Sequence, residues 1–559
     1  MQNVTHESYS IEKSSPLGKY QRAAIAVDNE ICSKIGREIL EKNGTTVDAA
    51  LAAAICNGVM NQHSMGIGGG CVMVISSKKK GKVFSIIGRE KAPLASNENL
   101  FIGKENLSSI GGLSIAVPGE LRAYRKAYEE FGGGVSWKDL FQPTIQLCRQ
   151  GFPISSALAQ AIQQNKQLIL NDPNMKELFV KDKNTNELYQ FGDSIKQLKL
   201  AKTLQIIAEQ GDDVFYHGEL SQKILQEIQD EGGIITKEDL ETYDIDYREA
   251  HCIEFDDRIR AFTTHAPTSG PILTFILNVL QGFQFSANQL EESTSAALFY
   301  HRLIETLKFA YAKRSELSDP QFNDITQLIS DLTSKEHAEE IRKRIDDDKT
   351  FDCEYYGGIW FDKSRTGTAH LSLAGPDGDA IALTSTINHY FGSKVLGKHT
   401  GIFYNNQMDS FSTRNTSNQF GIPSSPANYI FPGKRPVSSM SPIILWDKIK
   451  EHWIQILGGS GGPRITTSVA QVSLINWLFK QNIKTTIDSS RIHSQLLPNE
   501  IIVEQGFDEK IINELRKRGH QIVSVDSIGS AVQGIEWKEE LNEFWANCDR
   551  RKGGKPDGF

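Results

Sequence analysis

Hydrophobic positions along the chain change period several times, and each change marks an element. Residues 47–60 predict a small-residue helix whose Val47, Leu51, Ala54, Ile55 and Val59 fall on one side, with Thr45 and Asp48 set as a capping box before it. The helix stops at a glycine cluster, residues 66–70. Residues 71–76 and 83–87 then read as a hairpin around the lysine turn Lys78-Lys79-Lys80. Helical periodicities dominate from 139 to 352. After them Ala369–Ala374 alternates like a half-buried strand, GPDGD makes a turn, and 380–387 returns as its partner. That hairpin carries Thr384, Ser385 and Thr386 back toward Thr368. Residues 453–457 predict one more strand and Pro463 opens a helix, with Gly458-Gly459-Ser460-Gly461-Gly462 between them. Periodicity alone gives a mixed α and β chain without repeats or low-complexity linkers.

Composition narrows the class. A chain of 559 residues, 39% hydrophobic and 23% charged, is long enough to bury a deep core. Its net charge of −8 does not suit a surface that tracks phosphates, and the short basic run Arg342-Lys343-Arg344 reads as a solvated helix face, so nucleic acid is set aside as a partner. No clustered spacing of His, Cys and carboxylates suggests a zinc site.

Two places carry candidate chemistry. Thr368 follows a glycine and opens a strand, which is ordinarily the position of a β-branched structural residue. If the bond between Gly367 and Thr368 were cut, however, the freed α-amine, with a pKa of about 8, would act as general base for its own hydroxyl. The second place is the G-x-S-x-G at 458–462, in the strand-turn-helix setting of a nucleophile elbow. Ser460 followed by Asp488 and by His493 or His520 has the chain order of a Ser-Asp-His hydrolase. The glycines at 66–70 lack the Lys-Ser/Thr ending of a phosphate loop and follow a helix, so they read as close backbone packing.

Beyond these signals, seven stretches in order resemble the γ-glutamyltransferases (γ-glutamyl transpeptidases, glutathione hydrolases), with an animal-like cast. They are RAAIAVDNEICSKIGREIL, NQHSMGIGGGC, IIGREKAP, GGLSIAVPGELRAY, FQPTIQLCRQGFP, PANYIFPGKRPVSSMSP and GGSGGPRITT; the TGTAH at 366–370 resembles the start of the family's small subunit. The resemblance implies an α+β fold, the αββα four-layer sandwich of N-terminal nucleophile hydrolases. It also implies a precursor that cuts itself between Gly367 and Thr368 into a large subunit, 1–367, and a small subunit, 368–559, which stay together as a heterodimer. It implies cleavage of the γ-glutamyl amide of glutathione and its conjugates through a threonine acyl-enzyme, with transfer to water, an amino acid or a dipeptide, and no metal or organic cofactor.

The same resemblance assigns residues. Thr368 corresponds to the nucleophile and Thr386 to the threonine that orients it. Gly461 and Gly462 correspond to the oxyanion donors, Asn388 and Gln407 to groups that hold the substrate α-amine. Arg89, Ser438 and Ser439 correspond to those that receive its α-carboxylate, for which the planar fork of arginine is suited. One position departs. NNQMDSF places Ser410 where the family has an aspartate facing the ammonium, and hydrogen bonds to charged groups are worth roughly 1.5–3 kcal/mol. Free γ-glutamyl donors are therefore expected to bind more weakly, unless Asp409 turns in, and acyl groups without the amine become acceptable.

Seven cysteines leave the redox compartment open. Cys32 and Cys56, each on a predicted helix, match a family disulfide; read from the residues alone they are equally two buried thiols. Sequons at Asn3, Asn43, Asn106 and Asn415 permit glycosylation of a secreted chain. The amino-terminal segment MQNVTHESYSIEKSSPLGKYQ is polar, with neither a signal-peptide core nor a membrane span, so extracellular or cell-surface residence is expected from kinship alone. A non-enzymatic family member kept as a binding or scaffold protein is the remaining alternative.

Overall fold

Two antiparallel seven-stranded sheets form the centre of the computed structural model, which describes residues 14–361, 367–417 and 423–559. Asn3, Phe420, the polar amino-terminal segment up to residue 13 and part of the stretch 412–432 lie outside the described residues. One sheet runs Asp557–Gly558, Ala24–Val27, Ala369–Ala374, Ala380–Thr386, Gly70–Ser77, Lys82–Gly88 and Asp246–Glu249. The other runs Gly18–Tyr20, Glu543–Asn547, Ala531–Lys538, His452–Ser460, Ile443–Asp447, Ile259–Thr263 and His251–Glu254. In each sheet, strands from after residue 367 sit between strands from before it, and in the first sheet Asp557–Gly558 adds an edge outside Ala24–Val27.

Strand alternation sorts side chains into layers. Small and aromatic residues face inward: Ala24, Ala26, Val74, Ala374 and Ala382 of the first sheet pack on Ile444, Trp453, Ile456, Ile535 and Phe544 of the second. Leu371, Leu373, Ile381 and Leu383 point outward into the helices Glu30–Glu41, Thr46–Met60 and Trp137–Gln150. On the far side Ile443, Leu445, Leu457 and Val532 meet Gly270–Gln281, Ser293–Arg314 and Arg464–Leu478. The result is the αββα sandwich with helices outside two stacked sheets.

The structure reproduces the capping box of Thr45 and Asp48. It departs from the one-sided burial read for that helix: every residue from Thr46 to Met60 except Gly58 is buried, because a further helical layer covers the face opposite the sheet. The run 139–352 is also less uniformly helical than its periodicity suggests. Asp246–Glu249 and His251–Glu254 are edge strands and Ile259–Thr263 lies next to one, all too short for their two-residue alternation to stand out between long helices. The strand read at 453–457 extends as His452–Ser460 and absorbs Gly458, Gly459 and Ser460 of the elbow motif. Gly458 is required there, since a Cβ would fall 2.2 Å from Cε1 of His370 on the strand stacked against it. Cys32 and Cys56 are joined, with Cα atoms 5.4 Å apart, which fastens two neighbouring helices.

Candidate active site

Thr368 immediately precedes the strand Ala369–Ala374 and is 4% exposed. Pairing of Ala369 with Ser385 sets Thr386 beside it, and the two hydroxyl oxygens lie 3.3 Å apart. Both point at the same bond. The Thr368 hydroxyl contacts the Gly367 carbonyl oxygen, to which the Thr386 hydroxyl also donates at 3.0 Å. Thr386 in turn accepts from the Asn388 amide at 2.8 Å, which fixes the direction of its single proton. Gly69 lets this strand end close down, because a Cβ there would meet the Thr386 carbonyl oxygen at 2.1 Å.

A cleft is lined by Arg89, Gly367, Thr368, Thr386, Asn388, Gln407, Ser438, Ser439 and Gly462. Residues from widely separated stretches of sequence are thus brought to one place. At one end Asn388, held at φ 79°, offers Oδ1, which accepts from the Ser410 hydroxyl at 3.3 Å. Gln407 donates through Nε2 to Ser410, while its buried Oε1 has no partner in the structure. The oxygens of Asn388, Gln407 and Ser410, all neutral, therefore gather at this end of the cleft. Asp409 does not turn in: its carboxylate accepts from the hydroxyls of Ser108 and Ser109 at 2.6 and 3.0 Å and lies 3.3 Å from His389 Nε2.

At the other end the Arg89 guanidinium is aligned by the Pro436 carbonyl at 3.2 Å and by the Glu90 carboxylate at 3.0 Å. Burial pushes the Glu90 carboxyl up, against the pull of the Arg89 charge. Ser439 Oγ accepts from Arg314 at 2.8 Å. Arg314 also reaches Ser269 at 3.2 Å, and Ser269 donates to the Ser438 carbonyl, so a second buried arginine braces both serines.

Gly461 and Gly462 have φ of 117° and 61°, conformations that suit glycine. A Cβ on Gly461 would meet the Gly529 carbonyl oxygen at 2.3 Å. Gly462, and not Gly461, lines the cleft. The competing relay is not assembled. Ser460 is the last residue of a sheet strand, paired with Ala531. The Asp488 carboxylate takes the Ser15 hydroxyl at 2.8 Å and Lys484 at 2.7 Å. His493 is bonded to Thr467 and Gln495, and His520 to His301. The elbow motif failed as a signal because its serine continues a β ladder and makes no turn.

Lys552 is a site residue that motif reading missed. Its ammonium donates to the Thr368 carbonyl at 2.5 Å and to Asp28 at 2.8 Å, and Asp28 also accepts from the His370 amide at 3.1 Å. No spacing links positions 28, 368 and 552; only the sheet edge does. Tyr404 belongs to the core, where its hydroxyl donates to Glu227 at 2.7 Å. Asn43, Asn106 and Asn415 are exposed. Among the described residues no helix is long and apolar enough to cross a membrane.

Comparison with known proteins follows the same outline. The gamma-glutamyltranspeptidase family model matches residues 32–559. Scoloptoxin SSD14 of Scolopendra dehaani is 40% identical over 98% of this chain and 94% of its own length. Glutathione hydrolase proenzyme 1 of Schizosaccharomyces pombe is 36% identical over 92% of this chain and 81% of its own. Among solved structures, a cephalosporin acylase from Bacillus halodurans superposes with a TM-score of 0.83 over 100% of this chain and 99% of its own, at 23% identity, a likeness of fold.

Proposed function

The chain belongs to the gamma-glutamyltranspeptidase family, and from that membership we propose a self-cleaving γ-glutamyl hydrolase and transferase whose nucleophile is Thr368. In the first stage Thr368 Oγ attacks the Gly367 carbonyl carbon, the acyl group moves from nitrogen to oxygen, and water hydrolyses the ester. A large subunit ending at Gly367 and a small subunit beginning at Thr368 result, and the threonine gains a free α-amine. In the second stage that amine takes the hydroxyl proton as Oγ attacks the γ-carbonyl of glutathione or a conjugate, then returns it to the departing amine. Water, an amino acid or a dipeptide then accepts the acyl group.

Thr386 orients the nucleophile, while backbone amides of Gly461 and Gly462 receive the oxyanion, a role typically worth about 3–4 kcal/mol per donor. Arg89, Ser438 and Ser439 take the α-carboxylate; Asn388, Gln407 and Ser410 take the α-amine without a carboxylate among them. The disulfide and the exposed sequons support residence in an oxidising, extracellular compartment.

The observation that carries this reading is the convergence of Thr368, Thr386 and the Gly367 carbonyl in one cleft with Arg89 and Gln407. A denaturing gel tests it. Purified protein should run as two bands, the smaller starting at Thr368 by terminal sequencing, and Thr368→Ala should run as one inactive band. Active protein in a single unbroken chain would end the proposal, and full loss of activity in a correctly cleaved Ser460→Ala variant would transfer the role to Ser460.

A further inference from the structure

A cluster of buried side chains lies apart from this cleft, with no lining residue in common. His301 and Glu305 occupy one face of the helix Ser293–Arg314, and His520 approaches from the chain beyond residue 367. One ligand atom from each lies within 4.8 Å of the others. We propose that His301, Glu305 and His520 bind a divalent transition-metal ion of the zinc class and so tie together the stretches of chain on either side of residue 367.

The hydrogen bonding assigns the protons. His301 Nε2 lies 2.7 Å from the Asp346 carbonyl, which only accepts, so that nitrogen carries the hydrogen and Nδ1 is left as a lone pair. His520 Nε2 therefore donates to His301 Nδ1 across 2.8 Å. This leaves His520 Nδ1 as a buried acceptor with no partner in the structure.

An ion entering between the rings displaces the bridging proton to the bare Nδ1 of His520. The two ligating nitrogens then open from 2.8 Å to the roughly 3.3 Å that a tetrahedral ion at about 2.0 Å requires. The surrounding bonds already suit ligation. A metal-bound histidine usually donates its other nitrogen to a carbonyl, as His301 does, and ligating carboxylates are hydrogen-bonded, as Glu305 is by Thr350 at 2.7 Å and Tyr356 at 2.6 Å. Two imidazoles favour zinc, cobalt or nickel over the oxygen-seeking calcium and magnesium. A polar cavity of about 310 Å³, bounded in part by His520, Thr350, Asn499 and Lys308, adjoins the cluster and has room for a completing water.

Lys308 opposes the ion. Its ammonium lies 3.5 Å from Glu305 Oε1, so metal entry moves the side chain into the cavity that it lines. Arg518 stands further back, bound to the Asp347 carbonyl at 2.8 Å, and Asp347 pairs with Arg302.

The test uses EDTA-treated, full-length protein titrated with Zn²⁺ by calorimetry and with Co²⁺ by visible absorption. One Zn²⁺ per chain and the intense bands of four-coordinate cobalt are expected. Glu305→Gln and His520→Gln, shown folded by circular dichroism, should bind about a hundredfold or more weakly, at or beyond the 10- to 100-fold carried by outer-shell partners. Lys308→Met should bind at least as tightly as wild type. Folded wild type without Zn²⁺ uptake, or undiminished uptake by His520→Gln, overturns the site. Binding is read whether or not the chain cuts itself. Only the tying role rests on the proposed cleavage: cut protein should keep its two pieces together to higher urea with Zn²⁺ than with EDTA, and equal midpoints overturn that role.

Discussion

The hydroxyl oxygens of Thr368 and Thr386 lie 3.3 Å apart, and the second also stands 3.0 Å from the carbonyl of the bond that the first would attack. One side chain thus contacts both the proposed nucleophile and the carbonyl oxygen that would carry the negative charge during the proposed cut. Thr386→Ala is expected to slow self-cleavage by about 10²–10³-fold, the usual effect of losing one oxyanion donor. Thr386→Ser, which keeps the hydroxyl, should stay within about tenfold of wild type. The fraction of uncut chain on a gel against time measures both.

Lys552 donates to the Thr368 carbonyl, so its charge stands next to the amine that cleavage would release. A neighbouring cation disfavours protonation of an amine and lowers its pKa from about 8. Lys552→Met should therefore move the acidic limb of the kcat profile to higher pH. A profile that falls in height and keeps its midpoint would show Lys552 to be a purely structural brace.

The amine end of the cleft holds oxygens of Asn388, Gln407 and Ser410 and no carboxylate, with Asp409 engaged by Ser108 and Ser109. Ser410→Asp should strengthen binding of glutathione by about one to two powers of ten, in line with roughly 1.5–3 kcal/mol for a charged hydrogen bond. A glutaryl amide without the amine should gain nothing. KM values for the two substrates in both proteins decide.

Glu120 lies under the nucleophile-bearing hairpin, accepting from Ser385 and Tyr124. Burial pushes its carboxyl up to about 8, although both hydroxyls pull it down. With the folded value above the unfolded one, its contribution to stability is complete below the ordinary 4.5 and is lost as pH rises through about 8. Wild type should lose more stability than Glu120→Gln between about pH 5 and about pH 9, read from denaturant midpoints.

How far the sequence could be read depended on the range of each interaction. The capping box at Thr45, the hairpin from Ala369 and the glycine packing at Gly69 were legible because each is settled by neighbours in sequence or by the size of one side chain. The short strands between residues 246 and 263 were not, since pairing with distant strands, and no pattern of their own, makes them strands. Ser460 misled for the same reason: its motif is local, while its place in a ladder with Ala531 is not.

The order of motifs along the chain was enough to determine the family, the αββα architecture and the residue types gathered around Thr368. Only the tertiary structure decided that Lys552, held by Asp28, donates to the Thr368 carbonyl, that Arg314 braces Ser438 and Ser439, that Asp409 is engaged by Ser108 and Ser109, and that His520 meets His301 and Glu305. These contacts join residues more than a hundred positions apart. Sheet pairing and layer packing set their distances, and both depend on the whole fold at once.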